Sequence, residues 1–61
     1  MKRRDFLQHL AKHHCVILRE GSSHTILQNN LNNQRAPLPR HREIPEPLVK
    51  VICKQLDVAR P

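Results

Sequence analysis

The sequence has almost no aromatic residues: there is no Trp, no Tyr and a single Phe. Modules that read single-stranded RNA by stacking bases need aromatic side chains on a sheet face, whereas Phe6 belongs to a helical apolar pattern. Base stacking is therefore excluded as a mode of recognition. Contacts to phosphates and 2′-hydroxyls by Arg, Lys, Ser and His remain available to such a chain.

Long apolar runs are also missing. The longest, 15–18 and 25–27, fall far short of the roughly 18 to 20 residues that cross a bilayer. The basic start at residues 2–4 is like the first part of a signal peptide, but polar residues within 5–9 interrupt the apolar stretch that should follow. We therefore expect no membrane association and a cytoplasmic location.

Cysteine is scarce and has no metal-site spacing. Cys15 and Cys53 are far apart in apolar surroundings, which is typical of reduced, partly buried thiols rather than a disulfide. His9 and His13 have the spacing of a ligand pair, but Leu10 stands where a metalloprotease needs its Glu, and no third ligand is in register. No metal and no other cofactor is expected.

Acidic residues are few. Over 61 residues, 11 Lys and Arg oppose 5 Asp and Glu, which gives a formal charge of +6 with the five His neutral. This excess favours a polyanionic partner, either nucleic acid or an acidic protein. Because the chain is so short, residues 1–61 are predicted to form a single domain without a large enclosed active site.

The apolar periodicity predicts an α+β domain with the order α-β-β-β-α. Phe6, Leu7, Leu10 and Ala11 mark an amphipathic helix over 4–14. The remaining elements are strands at 15–19, 25–28 and 35–38, an Asn-rich turn at 29–34, and a second helix from Pro45 to Asp57. Pro37 places the third strand at an edge of the sheet. Two helices then cover one face of a three-stranded antiparallel sheet, and the other face is open for function.

The hairpin sequence Gly21-Ser22-Ser23-His24 supplies the main catalytic candidate. Gly21 suits a tight turn, and His24 lies at the entrance to the second strand, directly before residue 25. An imidazole exchanges protons near neutral pH, so a half-exposed His24 can take a proton from a ribose 2′-hydroxyl or give one to a leaving oxygen. From the residues alone, a histidine at a strand start is more often an ordinary surface residue.

Basic residues form clusters that can contact a nucleic-acid backbone. The loop 39–43 leads into the second helix, whose N-terminus itself favours anions. The alternative for this loop is a solvated basic surface, since Glu43 neutralises part of its charge. The candidate RNA-contacting residues are Lys2, Arg3, Arg4, Arg40, His41, Arg42, Lys50 and Lys54.

Four segments in this order resemble the HicA family of mRNA interferase toxins. They are 2–10, the turn 21–24, Pro39-Arg40-His41-Arg42-Glu43-Ile44, and 48–56 ending in Ile52-Cys53-Lys54-Gln55-Leu56. The resemblance covers nearly the whole chain, and the four segments together are far more specific than any one of them.

This resemblance implies a fold like that of double-stranded-RNA-binding domains and a ribonuclease that cuts mRNA. It also implies a HicB-type antitoxin as the protein partner, covering the active site. The family's catalytic histidine falls on His24, with Gly21, Ser22 and Ser23 as the supporting turn. Arg40 and His41 fall on a family segment for which only a location near the site is carried over.

The sequence departs from the family pattern at three places. His13-His14-Cys15 stands where a glycine usually precedes the first strand, so the first helix must end without glycine's access to left-handed geometry. Leu27 replaces an aromatic residue that is common after the catalytic histidine. The third strand carries Pro37 and follows an Asn-rich insertion.

Three functional hypotheses follow. The first is a metal-independent endoribonuclease in which His24 is the general acid or base, with His41 as the nearest candidate for the second proton-transfer group. The alternative is a non-catalytic module that binds double-stranded RNA. A DNA-binding helix-turn-helix is disfavoured because strands separate the only two predicted helices.

Overall fold

The computed structural model describes residues 1–61 and has two helices and three strands. Their order is α1 (Arg3–Lys12), β1 (Cys15–Glu20), β2 (His24–Asn29), β3 (Arg35–Pro39) and α2 (Glu46–Leu56). The predicted α-β-β-β-α order is confirmed, and each boundary lies within two residues of its predicted place. Neither helix has the length and apolar character needed to cross a membrane.

The three strands form one antiparallel sheet in the order β1-β2-β3. Thr25, Leu27 and Asn29 of β2 are buried under the helices, while the residues alternating with them are at least partly accessible. We call that accessible side the open face; His24, Ile26 and Gln28 lie along its middle. β3 lies at an edge, as Pro37 predicted, and the open face expected from the sequence is present.

The core lies between the sheet and the two helices. Its fully or almost fully buried members are Phe6, Leu10, Cys15, Leu27, Ala36, Leu38, Ile44, Val49, Ile52, Cys53 and Leu56. Ala11, which the periodicity placed on the apolar side of α1, is exposed because the helix contacts the sheet mainly through Phe6 and Leu10. Both cysteines are free, and burial raises the pKa of each thiol.

The first helix ends without glycine, as the sequence required. His13 caps the helix, and His14 takes the left-handed conformation with φ 67°. The backbone N–H groups of both histidines donate to carbonyls of the last helical turn. α1 therefore ends two residues earlier than predicted, and the chain turns at His13 and His14, where His14 has a φ that is strained for a residue with a side chain.

The Asn-rich segment does more than turn the chain, because it caps α2. The amide nitrogens of Asn29 and Asn32 donate to the carbonyl oxygen of Leu56, at 2.8 Å and 3.2 Å. Asn29 is also buried, and its Oδ1 accepts from the backbone N–H of Leu31 at 2.9 Å. Helix ends leave carbonyls without intrahelical partners, and these two side chains satisfy one of them.

Candidate active site

The β1–β2 hairpin closes through a very short contact between Gly21 and His24. The backbone N–H of Gly21 donates to the carbonyl oxygen of His24 at 2.7 Å. A Cβ at position 21 would lie 2.8 Å from that same oxygen, closer than real Cβ atoms approach. Gly21 has no positive φ, so the turn needs glycine for lack of a side chain rather than for left-handed geometry.

His24 begins β2 at the hairpin end of the open face. It is exposed, and its Nδ1 lies 3.0 Å from the hydroxyl of Ser23. Its other ring nitrogen, Nε2, makes no hydrogen bond within the chain. A bond to one ring nitrogen orients an imidazole and leaves the other to exchange a proton with a ligand.

Arg40 connects the hairpin to the next loop. Its position follows Pro39, which pairs with His24 across the β2–β3 ladder. The guanidinium donates from Nη1 to the carbonyl oxygen of Gly21 at 3.1 Å. The turn that carries His24 is therefore held against the basic loop that precedes α2.

Two basic clusters far apart in sequence meet because the N-terminal residues pair with the segment before α2. The N–H of Arg3 donates to the carbonyl of Arg42 at 2.8 Å, and the N–H of Ile44 donates to the carbonyl of Met1 at 2.7 Å. Between these bonds, Lys2 and Glu43 form an isolated antiparallel bridge. This pairing places residues 2–4 beside residues 40–43.

The result is a groove of about 690 Å³ that we call the basic cleft. Its lining residues are Lys2, Arg3, Arg4, Leu7, Arg40, His41, Arg42 and Glu43. Five of them are Lys or Arg, and Glu43 is the only acid. A groove lined by one sign of charge concentrates its field, so the cleft attracts polyanions.

Arg3 is only partly available to a ligand in this cleft. Its Nη2 donates to Oγ1 of Thr25 at 2.7 Å, and the Thr25 hydroxyl in turn donates to the carboxylate of Glu20. Thr25 is fully buried. The guanidinium thus ties the start of α1 to both strands of the hairpin, beside His24.

The candidate residues are not all brought together. Six of the eight RNA-contacting candidates line the basic cleft, but Lys50 lines a separate groove with Glu46 and Arg60. Lys54 lies on the exposed side of α2 and lines neither groove. His24 is not a lining residue of the cleft either, and Arg40 connects the two.

A comparison with protein-family models decides the family. The model described as the HicA toxin of bacterial toxin–antitoxin systems matches residues 3–58, nearly the whole chain. The chain belongs to the HicA toxin family. Searches of curated proteins and of solved structures returned no match.

As a HicA toxin, the chain has the toxin role in a bacterial toxin–antitoxin system, and its partner is an antitoxin. The resemblance found in the sequence is confirmed at the level of the family. The matched range contains the hairpin with His24 and the loop 40–43, and it includes two of the three N-terminal basic residues.

The link between Arg3, Thr25 and Glu20 was not predicted from the sequence. The alternation of β2 places Thr25 on the same side as Leu27, and this pattern was the one available signal that a polar side chain would be buried there. A buried hydroxyl needs a hydrogen-bond partner, but neither Arg3 nor Glu20 could be identified as that partner without the fold.

Proposed function

We propose that this HicA toxin is a metal-independent endoribonuclease that cuts mRNA, with His24 as its proton-transfer residue. One observation carries the proposal. An exposed imidazole with an unbonded Nε2 stands at the end of the open face, and Arg40 holds its turn against a cleft with five Lys and Arg side chains. Proton transfer next to a phosphate-binding surface is what RNA cleavage requires.

The chemistry is an attack of a ribose 2′-oxygen on the adjacent phosphorus. The 2′-hydroxyl gives up its proton, the 2′-oxygen bonds to phosphorus, and the bond to the 5′-oxygen breaks as that oxygen takes a proton. The products are a 2′,3′-cyclic phosphate and a 5′-hydroxyl. His24 serves as base for the first proton or as acid for the second, and His41 is the candidate for the other role.

The basic cleft is proposed to hold the RNA backbone on the approach to His24. Lys2, Arg4, Arg42 and Arg40 are exposed there, and guanidinium groups pair with phosphate oxygens through forked hydrogen bonds. Lys50 and Lys54 lie outside the cleft and are proposed to add attraction at longer range. Contacts of this kind follow the backbone rather than the base sequence.

The same charge suits the antitoxin. A HicB-type antitoxin with an acidic surface would associate quickly with a chain of net charge +6 and block the cleft. Toxin activity and inhibition would then share one surface.

The proposal is tested by comparing the wild type with His24→Ala on a long single-stranded RNA in EDTA. His14→Gly is the matched control, because it removes an exposed histidine from the other end of the sheet. Cutting by the wild type and the control, with loss of cutting in His24→Ala, is the expected result. Equal cutting by all three would overturn the role of His24, and cutting by none with RNA binding retained would favour the non-catalytic binding module.

A further inference from the structure

The β1–β2 ladder contains a bulge close to His24. Cys15 pairs with Asn29 and Ile17 pairs with Leu27, so both lie on the same side of the sheet as these buried partners, although Ile17 itself is 44% exposed. The register then shifts between Ile17 and Arg19, and Leu18 has no partner on β2. Strict alternation from Ile17 would have turned Arg19 toward the helices and Glu20 toward the open face.

The bulge reverses these two directions. Beyond it, Arg19 pairs with Ile26, which lies on the open face, and Glu20 pairs with Thr25, which is buried under the helices. The side chains agree with this register, because the Glu20 carboxylate accepts the hydrogen bond from Thr25. Bulges beside active sites commonly redirect a side chain in this way.

Arg19 therefore lies on the same face as His24, on the neighbouring strand. Since Ile26 is two residues beyond His24, the two are diagonal neighbours across the ladder, at a separation of about 7–8 Å. Arg19 is exposed and makes no side-chain hydrogen bond or ion pair within the chain. A long guanidinium side chain at that distance reaches a group bound at His24.

Two arginines of the cleft that lie near the hairpin already donate hydrogen bonds within the chain. Arg40 donates to Gly21, and Arg3 donates to Thr25. The unoccupied guanidinium on the face of His24 is that of Arg19.

We infer that Arg19 is a further residue of the active site, which binds the scissile phosphate while His24 transfers the proton. The inference rests on the proposed ribonuclease function. Negative charge builds on the phosphate oxygens in the pentacoordinate transition state, and a forked guanidinium placed beforehand stabilises that charge. The bulge at Leu18 is the structural device that puts the guanidinium there.

The test measures single-turnover cleavage of a dye-labelled RNA, roughly 20 nucleotides long, in EDTA. Arg19→Gln keeps much of the aliphatic stem and removes the charge, and Arg19→Lys restores a charge without the fork. Arg35→Gln is the matched control: Arg35 is an exposed arginine of β3 that pairs with Gln28 at the far end of the open face. Affinity is measured in parallel with a 2′-deoxy version of the strand, which is not expected to be cut.

Arg19→Gln should lower the cleavage rate by about 100-fold, as the loss of one group that stabilises transition-state charge does elsewhere. Its affinity for the deoxy strand should fall far less, Arg19→Lys should recover part of the rate, and Arg35→Gln should cut like the wild type. Thermal unfolding should be unchanged in all three variants because both arginines are exposed.

The role of Arg19 would be overturned if Arg19→Gln and Arg35→Gln cleaved RNA at equal rates. If, in the same experiment, the wild type cuts RNA and His24→Ala does not, the ribonuclease function still stands. A loss of affinity as large as the loss of rate would also overturn the role of Arg19, because that residue would then serve ground-state binding only. If the wild type does not cut RNA, both the function and the role of Arg19 fall together.

Discussion

Gly21 and His24 depend on one another through the backbone of the hairpin. The carbonyl of His24 approaches position 21 so closely that only glycine leaves room for it. The same carbonyl accepts the N–H of Gly21, so this hydrogen bond fixes where β2 begins. The orientation of the imidazole is thus determined partly by a residue that carries no functional group.

Gly21→Ala should therefore lower both stability and RNA cleavage. The added Cβ would meet a backbone oxygen at 2.8 Å, so the turn must open rather than let a side chain move aside. We expect a loss of about 1–2 kcal/mol in the free energy of unfolding, the usual size of a strained backbone site. Urea unfolding and cleavage rates measure the two effects.

Lys12→Ala is the control for this substitution, because Lys12 is exposed at the far end of α1. Its stability should stay within about 0.5 kcal/mol of the wild type. If Gly21→Ala had the same stability and the same RNA cleavage rate as Lys12→Ala, the turn would be shown to accommodate a side chain.

The hairpin turn at 21–24 is predicted from the sequence, but the structure gives a different reason for its glycine. Glycine followed by a short polar turn predicts a hairpin, and the hairpin is present. The sequence shows only that Gly21 suits a tight turn, whereas in the structure position 21 needs glycine because a carbonyl approaches it closely. That distance depends on how the strands pair and has no local signal in the sequence.

Among the elements, the strands and helices follow their sequence patterns closely, and the irregular positions do not. β2 and α2 lie within one residue of the bounds that the sequence predicts for them. The bulge in β1 was not predictable, because Val16, Ile17 and Leu18 are all apolar and show no alternation that a shift could interrupt. Which of them stays unpaired is decided by the partner strand.

Substitution of Asn29 tests whether the Asn-rich segment stabilises α2. Asn29→Ala removes the shorter of the two bonds to the carbonyl of Leu56, which keeps only the 3.2 Å bond from Asn32, and it leaves the N–H of Leu31 without a side-chain partner. Losing the hydrogen-bond partner of a buried polar group costs about 1–3 kcal/mol, so we expect a loss of about 2 kcal/mol in stability. Thermal unfolding should show a fall in Tm of about 10 °C or more for a domain of this size.

Asn30→Ala is the matched control, since Asn30 is exposed and its amide oxygen accepts only a long bond of 3.4 Å from Gln28. It should leave Tm nearly unchanged. A Tm for Asn29→Ala equal to that of Asn30→Ala would mean that the segment is a simple turn and does not stabilise α2.

For the whole molecule, the basic cleft depends on how the charged residues are distributed over the surface and not only on the net charge. Both basic clusters of the cleft are visible in the sequence, but their junction depends on pairing between residues 1–3 and 42–44, which are far apart in the sequence. Local patterns do not predict such long-range pairs. Lys50 and Lys54 are RNA-contacting candidates from the sequence, but both lie on α2 and outside the cleft.

RNA affinity should fall steeply with salt, and the cleft should account for the slope. Every phosphate group that the protein neutralises on a single strand adds about 0.7 to the slope of log affinity against log salt. Arg42→Gln, measured with His24→Ala protein so that the RNA stays intact, should make the slope shallower by about this amount. Lys12→Gln makes the same charge change outside the cleft and should alter the slope less.

Equal slopes for these two variants would mean that RNA senses the net charge of the molecule rather than the cleft. Fluorescence anisotropy over a range of salt concentrations separates the two cases.

The most direct measurement is the cleavage in EDTA of an RNA that carries a single 2′-deoxynucleotide at its mapped cut site, beside the unmodified RNA. In the proposed mechanism His24 transfers a proton while a 2′-oxygen attacks, so removing that oxygen should abolish cutting at the site while other sites are cut normally. Continued cutting at the deoxy position at the same rate would contradict attack by the 2′-oxygen with proton transfer by His24, because the strand would then be broken without that oxygen.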